Sequence, residues 1–330
     1  MAPGPRLTLV ALLVALLGVI PALAHVPLFP QDGSSPESAI VIEDPAKSWA
    51  IYGSLPEGPA VRYYRFQVEE GERIYATLQV SRAGEFVPGM VLAGPLIETS
   101  GPVPPYVAVP EGAGATAVPG SLPEEAEYEP FTPSRLYPVA RIDTTAPAAG
   151  DYTLAVYTAG PGGNYTLALG FVESYTLTEW IRVPVDLVRI HRHEGQSYLL
   201  IFAPMIAVIA VGAWLIFRRR GDLSLFALSG AAAGLLFIGG GAMTLSQTVI
   251  AAMGTAPGAA VILTLAFALA PILLGVLSLR VALHERVGAW ERVAMAVLGI
   301  LGLAVWAGLV VGPLLAFAAA LMPAGRGITR

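Results

Sequence analysis

Cysteine is absent from all 330 residues. Its absence excludes disulfides, thiolate metal sites, cysteine nucleophiles and iron–sulfur ligation. A domain on the oxidising side of a membrane must then rest on its core alone. Charge is scarce as well. Only 13% of residues are Asp, Glu, Lys or Arg, where a soluble domain carries roughly a quarter. Lysine occurs once, as Lys47, and before Tyr198 acidic residues outnumber arginines about twofold. A nucleic-acid partner needs the opposite sign of charge, so that class is discarded. Enzyme motifs are missing too. There is no Gly-x-x-x-x-Gly-Lys phosphate loop and no Gly-x-Ser-x-Gly elbow, and His284-Glu285 lacks the second histidine of a zincin helix. The balance leans away from an enzyme.

What is present divides by solvent. Beyond Leu199 the chain is nearly pure Leu, Ala, Val, Ile and Gly, with apolar stretches near 198–217, 223–249, 258–279 and 293–321. Each reaches the roughly 20 residues that span a bilayer. None contains Asp, Glu, Lys, Arg or His, whereas pumps and proton-coupled carriers usually need such groups at depth. The reading is a transmembrane block of about four helices over 197–322 that anchors or assembles, followed by a short tail, 323–330. Arg218-Arg219-Arg220 and then Arg280, Arg286 and Arg292 mark two basic loops, which favour the cytoplasmic side. The expected location is the cell membrane, multi-pass, with the N-terminal domain outside the cytoplasm. Four full spans leave Arg326 and Arg330 outside, against that rule. Gly312-Pro313 allows the last stretch to kink or re-enter.

Residues 1–24 read as a signal peptide: Arg6, an apolar run from Leu7 to Ile20, then Ala22-Leu23-Ala24. Residues 25–175 read as an all-β sandwich. Tyr63–Val68 and Arg73–Val80 alternate around Glu70-Gly71-Glu72, and Asp151–Tyr157 and Asn164–Phe171 flank Gly160-Pro161-Gly162-Gly163. Many short strands at this spacing argue for two stacked sheets. Between them lies a Pro-rich acidic insertion, about 95–137, with Glu124, Glu125, Glu127 and Glu129. Its prolines confine it to loop or edge strand. Tyr106, Tyr128, Phe131 and Tyr137 are its candidate contact groups for a ligand, glycan or partner protein.

The strand pairs, from Arg62-Tyr63-Tyr64-Arg65-Phe66 to Ala149-Gly150-Asp151-Tyr152-Thr153 and Asn164-Tyr165-Thr166-Leu167, resemble the bacterial pre-peptidase C-terminal domain. That resemblance covers about 38–172 and implies a jelly-roll-like sandwich attached to secreted proteins as a binding or targeting unit. The Pro-rich insertion departs from the pattern, and fold does not fix function.

Residues 176–196 read as a juxtamembrane amphipathic helix. Thr176 and Glu179 have capping-box spacing, and Trp180 with Arg182, Arg189 and Arg192 suits the headgroup layer. In the next apolar region Gly230 and Gly234 make a GxxxG pair that lets another helix approach. This is packing within the block or an interface with another membrane subunit.

No cofactor is predicted outright. Copper is the sharpest alternative. Cleavage after Ala24 makes His25 the N-terminus, where amine and imidazole can chelate one ion in a histidine-brace arrangement. His191 and His193 are the other candidate ligands. On a strand they share a face; on a helix they point about 200° apart, and only one can join His25. Calcium at the acidic insertion is weaker. Three function classes follow: a membrane-anchored binding module, a copper-binding protein, or a non-catalytic subunit of a membrane complex.

Overall fold

Alternating apolar residues build two β-sheets that share one core. The computed structural model describes residues 25–219, 222–256 and 258–323; the signal peptide read over 1–24 lies outside them. Eleven strands form the first part: β1 (Val26–Leu28), β2 (Ile40–Val41), β3 (Trp49–Leu55), β4 (Ala60–Val68), β5 (Arg73–Val80), β6 (Gly89–Gly94), β7 (Gly114–Val118), β8 (Glu127–Glu129), β9 (Ser134–Thr145), β10 (Gly150–Thr158) and β11 (Gly163–Leu169). One sheet runs β1-β3-β11-β5-β9-β8 and the other β2-β4-β10-β6-β7. Tyr64, Phe66, Leu92 and Leu154 from the second sheet meet Ile51, Leu78, Tyr165 and Leu167 from the first. The two phenols Tyr64 and Tyr165 hydrogen-bond across this core at 2.7 Å, which satisfies both buried hydroxyls.

The turns join the sheets in a way that alternation does not disclose. β4 and β5 flank Glu70-Gly71-Glu72, yet they belong to different sheets. So do β10 and β11. Each pair arches from one sheet to the other; β4 hydrogen-bonds β10, and β5 hydrogen-bonds β9 and β11. The Pro-rich insertion is not one irregular loop. It contributes β7 and β8, which contain no proline and lie at the far edges of the two sheets; its prolines fall outside these ladders. Its first half also covers the outer face of the second sheet, with Val107 packed beside Tyr63 and Ala115 and the Ala108 amide donating to the Tyr63 hydroxyl at 2.8 Å.

The first sheet is covered on both faces. Against its outer face lies α1 (Leu177–His193), whose Val183 and Ile190 are buried. Small sheet residues make room: Ala50, Thr77, Thr166 and Ala168 are all buried. The helix starts on a formed capping box: Thr176 Oγ1 accepts the Glu179 amide at 3.2 Å, and Glu179 accepts the Thr176 amide at 2.7 Å. Glu179 also takes both contacts from Lys47 Nζ, at 2.8 and 3.0 Å. The chain's single lysine thus pins the helix start to the sheet edge.

The rest of the chain is helical: α2 (Tyr198–Arg219), α3 (Leu225–Ala252), α4 (Ala260–Ala282), α5 (Ala289–Ala304) and α6 (Val311–Leu321). Among the described residues three helices, α2, α3 and α4, are long and apolar enough to cross a membrane. The fourth apolar stretch is not a single helix. It breaks after Val305 at residues with positive φ: Trp306 (53°), Gly308 (66°), Leu309 (57°) and Val310 (65°). A β-branched residue in this region is strained. The two arms then run antiparallel. Arg292 Nη1 near the start of α5 donates to the Ala320 carbonyl near the end of α6 at 2.9 Å, and Gly299 and Gly302 face Phe317 and Pro313. At 1.5 Å per residue the arms measure about 24 and about 16 Å. Gly-Pro spacing and the glycines of α5 allow this hairpin; hydrophobicity alone reads it as one long helix.

Candidate ligand cavity at the seam between sheet and helices

The two parts of the chain meet through a hairpin, a helix and a strained turn. The β8–β9 hairpin carries Pro130, Phe131, Thr132 and Pro133 at its tip. Tyr128 donates to Thr264 Oγ1 at 2.9 Å, and Thr264 donates on to the Pro130 carbonyl at 2.6 Å. Phe131 lies edge-on to Phe267 at 5.3 Å and to Trp306 at 5.5 Å. Trp306, on the strained turn, sits 4.2 Å from Trp180 of α1.

One detail of this seam follows from a proline. Pro184 stands inside α1 and has no amide hydrogen, so the Trp180 carbonyl loses its partner one turn back. The Trp306 indole fills the gap: its Nε1 donates to the Trp180 carbonyl at 2.9 Å. The proline that weakens α1 as an isolated helix therefore opens the acceptor through which α1 grips the turn.

The other predicted contact groups are also engaged within the chain. Tyr106 packs edge-on to Tyr157, and Tyr137 packs against the shared core. Glu124, Glu125 and Glu127 are exposed, while Glu129 turns inward, so the four acids do not converge. Gly230 faces Met295 and Ala282, and Gly234 faces the Gly275 carbonyl and Leu279; both lie in a seam within the helical block. Asn164 donates its side-chain amide to the His193 carbonyl at 2.6 Å.

The histidines do not form a cluster. His25 Nδ1 bonds the Ser48 hydroxyl. His191 Nδ1 meets Glu194 at 3.1 Å. His193 Nε2 lies 3.1 Å from the Tyr165 carbonyl, its ring edge-on to Tyr52. Helical spacing on α1 separates His191 from His193, which removes the shared strand face. Among the described residues no group of three or more His, Asp or Glu is arranged to hold a metal ion.

A cavity of about 60 Å³ lies where the first sheet, α1, the hairpin tip and the start of β1 meet. The sheet supplies Ala50, Tyr52, Gln79, Thr166 and Ala168; α1 supplies Val183, Leu187 and Ile190; the hairpin supplies Glu129, Phe131 and Thr132; His25 and Tyr175 close one side. The Tyr175 hydroxyl is committed to the His25 carbonyl at 2.7 Å. The side chains of Tyr52, Gln79, Thr132 and Thr166 are the cavity's neutral polar lining; among the described residues the fully buried side-chain polar atoms without a hydrogen bond, Thr77 Oγ1, Tyr106 Oη and Ser134 Oγ, lie outside it. A second cavity, about 80 Å³, lies beyond Phe131 and Leu187, between α1 and the helices; it is mainly apolar, with His191, Thr244 and Gln247 as polar lining. Gln247 is tied to Gln196 by reciprocal amide bonds of 2.8 and 2.9 Å.

Electrostatically the first cavity is acidic. Burial pushes the Glu129 carboxyl up to about 6, against the backbone amides of Phe131 and Thr132 that favour its charge, and Glu194 adds to the rise. Burial also raises Tyr52, helped by the charges of Glu194 and Glu129. Burial lowers His25 and His193, keeping both rings toward the neutral form. A carboxyl that titrates higher when folded holds its proton better in the native state, so stability falls as pH rises through the window from 4.5 to about 6. The change is about 2 kcal/mol. Melting scans across that window are expected to show the decline, and Glu129→Gln to flatten it; an unchanged slope in the variant would place the titration elsewhere.

No protein-family model matches the chain, and no curated protein matches it either.

Proposed function

We propose that the protein is a membrane-anchored binding module. Its jelly-roll-like sandwich, akin to the pre-peptidase C-terminal domain, stands outside the cytoplasm, and its ligand occupies the cavity under α1. The observation that carries this reading is the lining: the polar side chains of Tyr52, Gln79, Thr132 and Thr166 and the desolvated Glu129 carboxylate, held only by backbone amides, border one cavity. Such groups cost stability unless water or a ligand satisfies them. The helical block supports an anchoring role, since its predicted spans hold no ionisable residue.

Orientation follows from charge. Arg218 and Arg219 end α2, Arg280 stands in the last turn of α4, and Arg286 follows it before α5, so both basic ends belong on the cytoplasmic side. In this reading the α5–α6 hairpin returns the chain to the side of Arg292. That removes the charge conflict which a fourth full span creates. Along α1, Leu177, Ile181 and Val185 form an exposed apolar stripe with Trp180 and Arg182 beside it, which suits the membrane interface.

The cavity is tested by filling it. Protein purified from native membranes is expected to carry a bound small molecule in native mass spectrometry, and Ala168→Leu to lose it. If the wild type carries none and Ala168→Leu raises the melting temperature, the cavity is a void that a methyl group improves, and the reading fails.

A further inference from the structure

We infer that the cavity under α1 takes a small organic cation: a primary ammonium group on a compact body, with Glu129 as its counter-charge. The inference rests on the reading of this cavity as a ligand site and adds the sign, size and chemistry of the ligand.

Charge decides the sign. The hairpin presents Glu129. From α1, Asp186 and Arg189 face the same region but cancel in a 3.0 Å ion pair, with the Arg189 guanidinium on the ring of Phe29 at 3.9 Å. His191 is spent on Glu194. Lys47 is spent on Glu179. His25 and His193 are the remaining basic groups, and burial disfavours charge on both. Among the described side chains the region is therefore left with the charge of Glu129, and none of these basic side chains pairs with it. An anion entering here meets repulsion, and a neutral guest leaves the carboxylate, which accepts the Phe131 amide at 3.0 Å, without a counter-charge, which is costly.

Wall chemistry decides the group. An ammonium has three donors and no acceptor. Among its lining residues the cavity offers acceptors: the Glu129 carboxylate, the Tyr52 hydroxyl, and the hydroxyls of Thr132 and Thr166. The Tyr52 and Phe131 rings also border the cavity, and ring electrons attract a cation. A metal ion is a poorer fit. It needs several ligands at fixed geometry, and His25 Nδ1 already engages Ser48. Size decides the rest, since about 60 Å³ holds a few waters or a short amine and excludes nucleotides and sugars.

The test is calorimetric titration of full-length protein in detergent, at about pH 7.5, well above the Glu129 titration. The probes are ethylammonium, ethanol, acetate and Cu(II). Saturable binding of ethylammonium is expected, with ethanol and acetate silent. Glu129→Gln should weaken ethylammonium about tenfold or more, the scale of a lost charge-assisted hydrogen bond. Tyr52→Phe, which removes only a hydroxyl, should weaken it a few-fold and keeps the test open if Glu129→Gln fails to fold. Acetate or ethanol binding as well as ethylammonium overturns the charge assignment while leaving the cavity a ligand site. Stoichiometric Cu(II) binding lost in His25→Ala, without amine binding, replaces the ammonium by a metal. A bound molecule lost in Ala168→Leu, with no response to ethylammonium, overturns this inference and spares the reading beneath it.

Discussion

Phe131→Ala is expected to loosen the sheet from the helices by about 3 kcal/mol, the lower end for deleting a buried phenylalanine. The lower end applies because Phe131 also borders both cavities, so some of its surface is not packed. The ring touches Phe267 and Trp306 and stands beside the Tyr128–Thr264 bond. Removing it joins the two cavities and leaves Trp306 without its edge-on partner. Native-state hydrogen exchange reads the result: amides at residues 128–136 and 304–312 should exchange about a hundredfold faster. Phe131→Leu, which refills most of the volume, should recover most of the protection. Unchanged exchange in the alanine variant would show that the seam is held elsewhere, by the Lys47–Glu179 pair or the Trp306–Trp180 bond.

The second large effect belongs to the glycine seam of the helical block. A Cβ on Gly234 would stand 2.8 Å from the Gly275 carbonyl oxygen, and one on Gly275 would stand 2.5 Å from the Gly234 carbonyl. These are backbone atoms and cannot rotate away. Ser278 Oγ donates to the Gly230 carbonyl at 2.9 Å along the same seam, a bond that requires the close approach. Gly234→Leu must therefore force α3 from α4. Overpacking a core costs about 1–3 kcal/mol when side chains can yield; with backbone in the way the upper end or more is expected. That corresponds to a loss of about 10 °C in melting temperature for a chain of this size. Gly84→Ala is the control, because a Cβ there meets nothing within 4 Å. If the glycines served a partner subunit instead, the leucine variant would change the oligomeric state and spare the melting temperature.

Much of the candidate site lay beyond sequence reasoning, for reasons that particular residues make plain. Tyr128 and Phe131 stood out as aromatics in an acidic insertion, and an aromatic in a Pro-rich loop reads as an outward contact. Their partners, Thr264 and Phe267, lie more than 130 positions away, and no local pattern links them. Glu129 looked like one of four equivalent acids. Its distinction is depth, which depends on the hairpin folding under α1. Tyr52 and Thr166 read as ordinary alternating strand positions; they became cavity lining because a helix covers the sheet's second face. One signal was available: Ala50, Ala168 and Thr166 are small for a solvent-facing sheet surface, and small residues there mark a close neighbour.

By itself the sequence determined the division into a water-facing β-rich part and a lipid-like helical part, because composition sets which solvent each tolerates. It also determined the capping box at Thr176, a contact three residues apart. The lack of cysteine excluded its chemistry at once. Tertiary structure alone decided three things. It sent β4 and β5 into different sheets, because a turn reverses the chain without choosing its hydrogen-bond partner. It folded the last apolar stretch back at Trp306, because an apolar run of that length satisfies lipid equally as one helix or two. And it drew Glu129 into a cavity, because burial is a property of what packs around a side chain and not of the side chain itself.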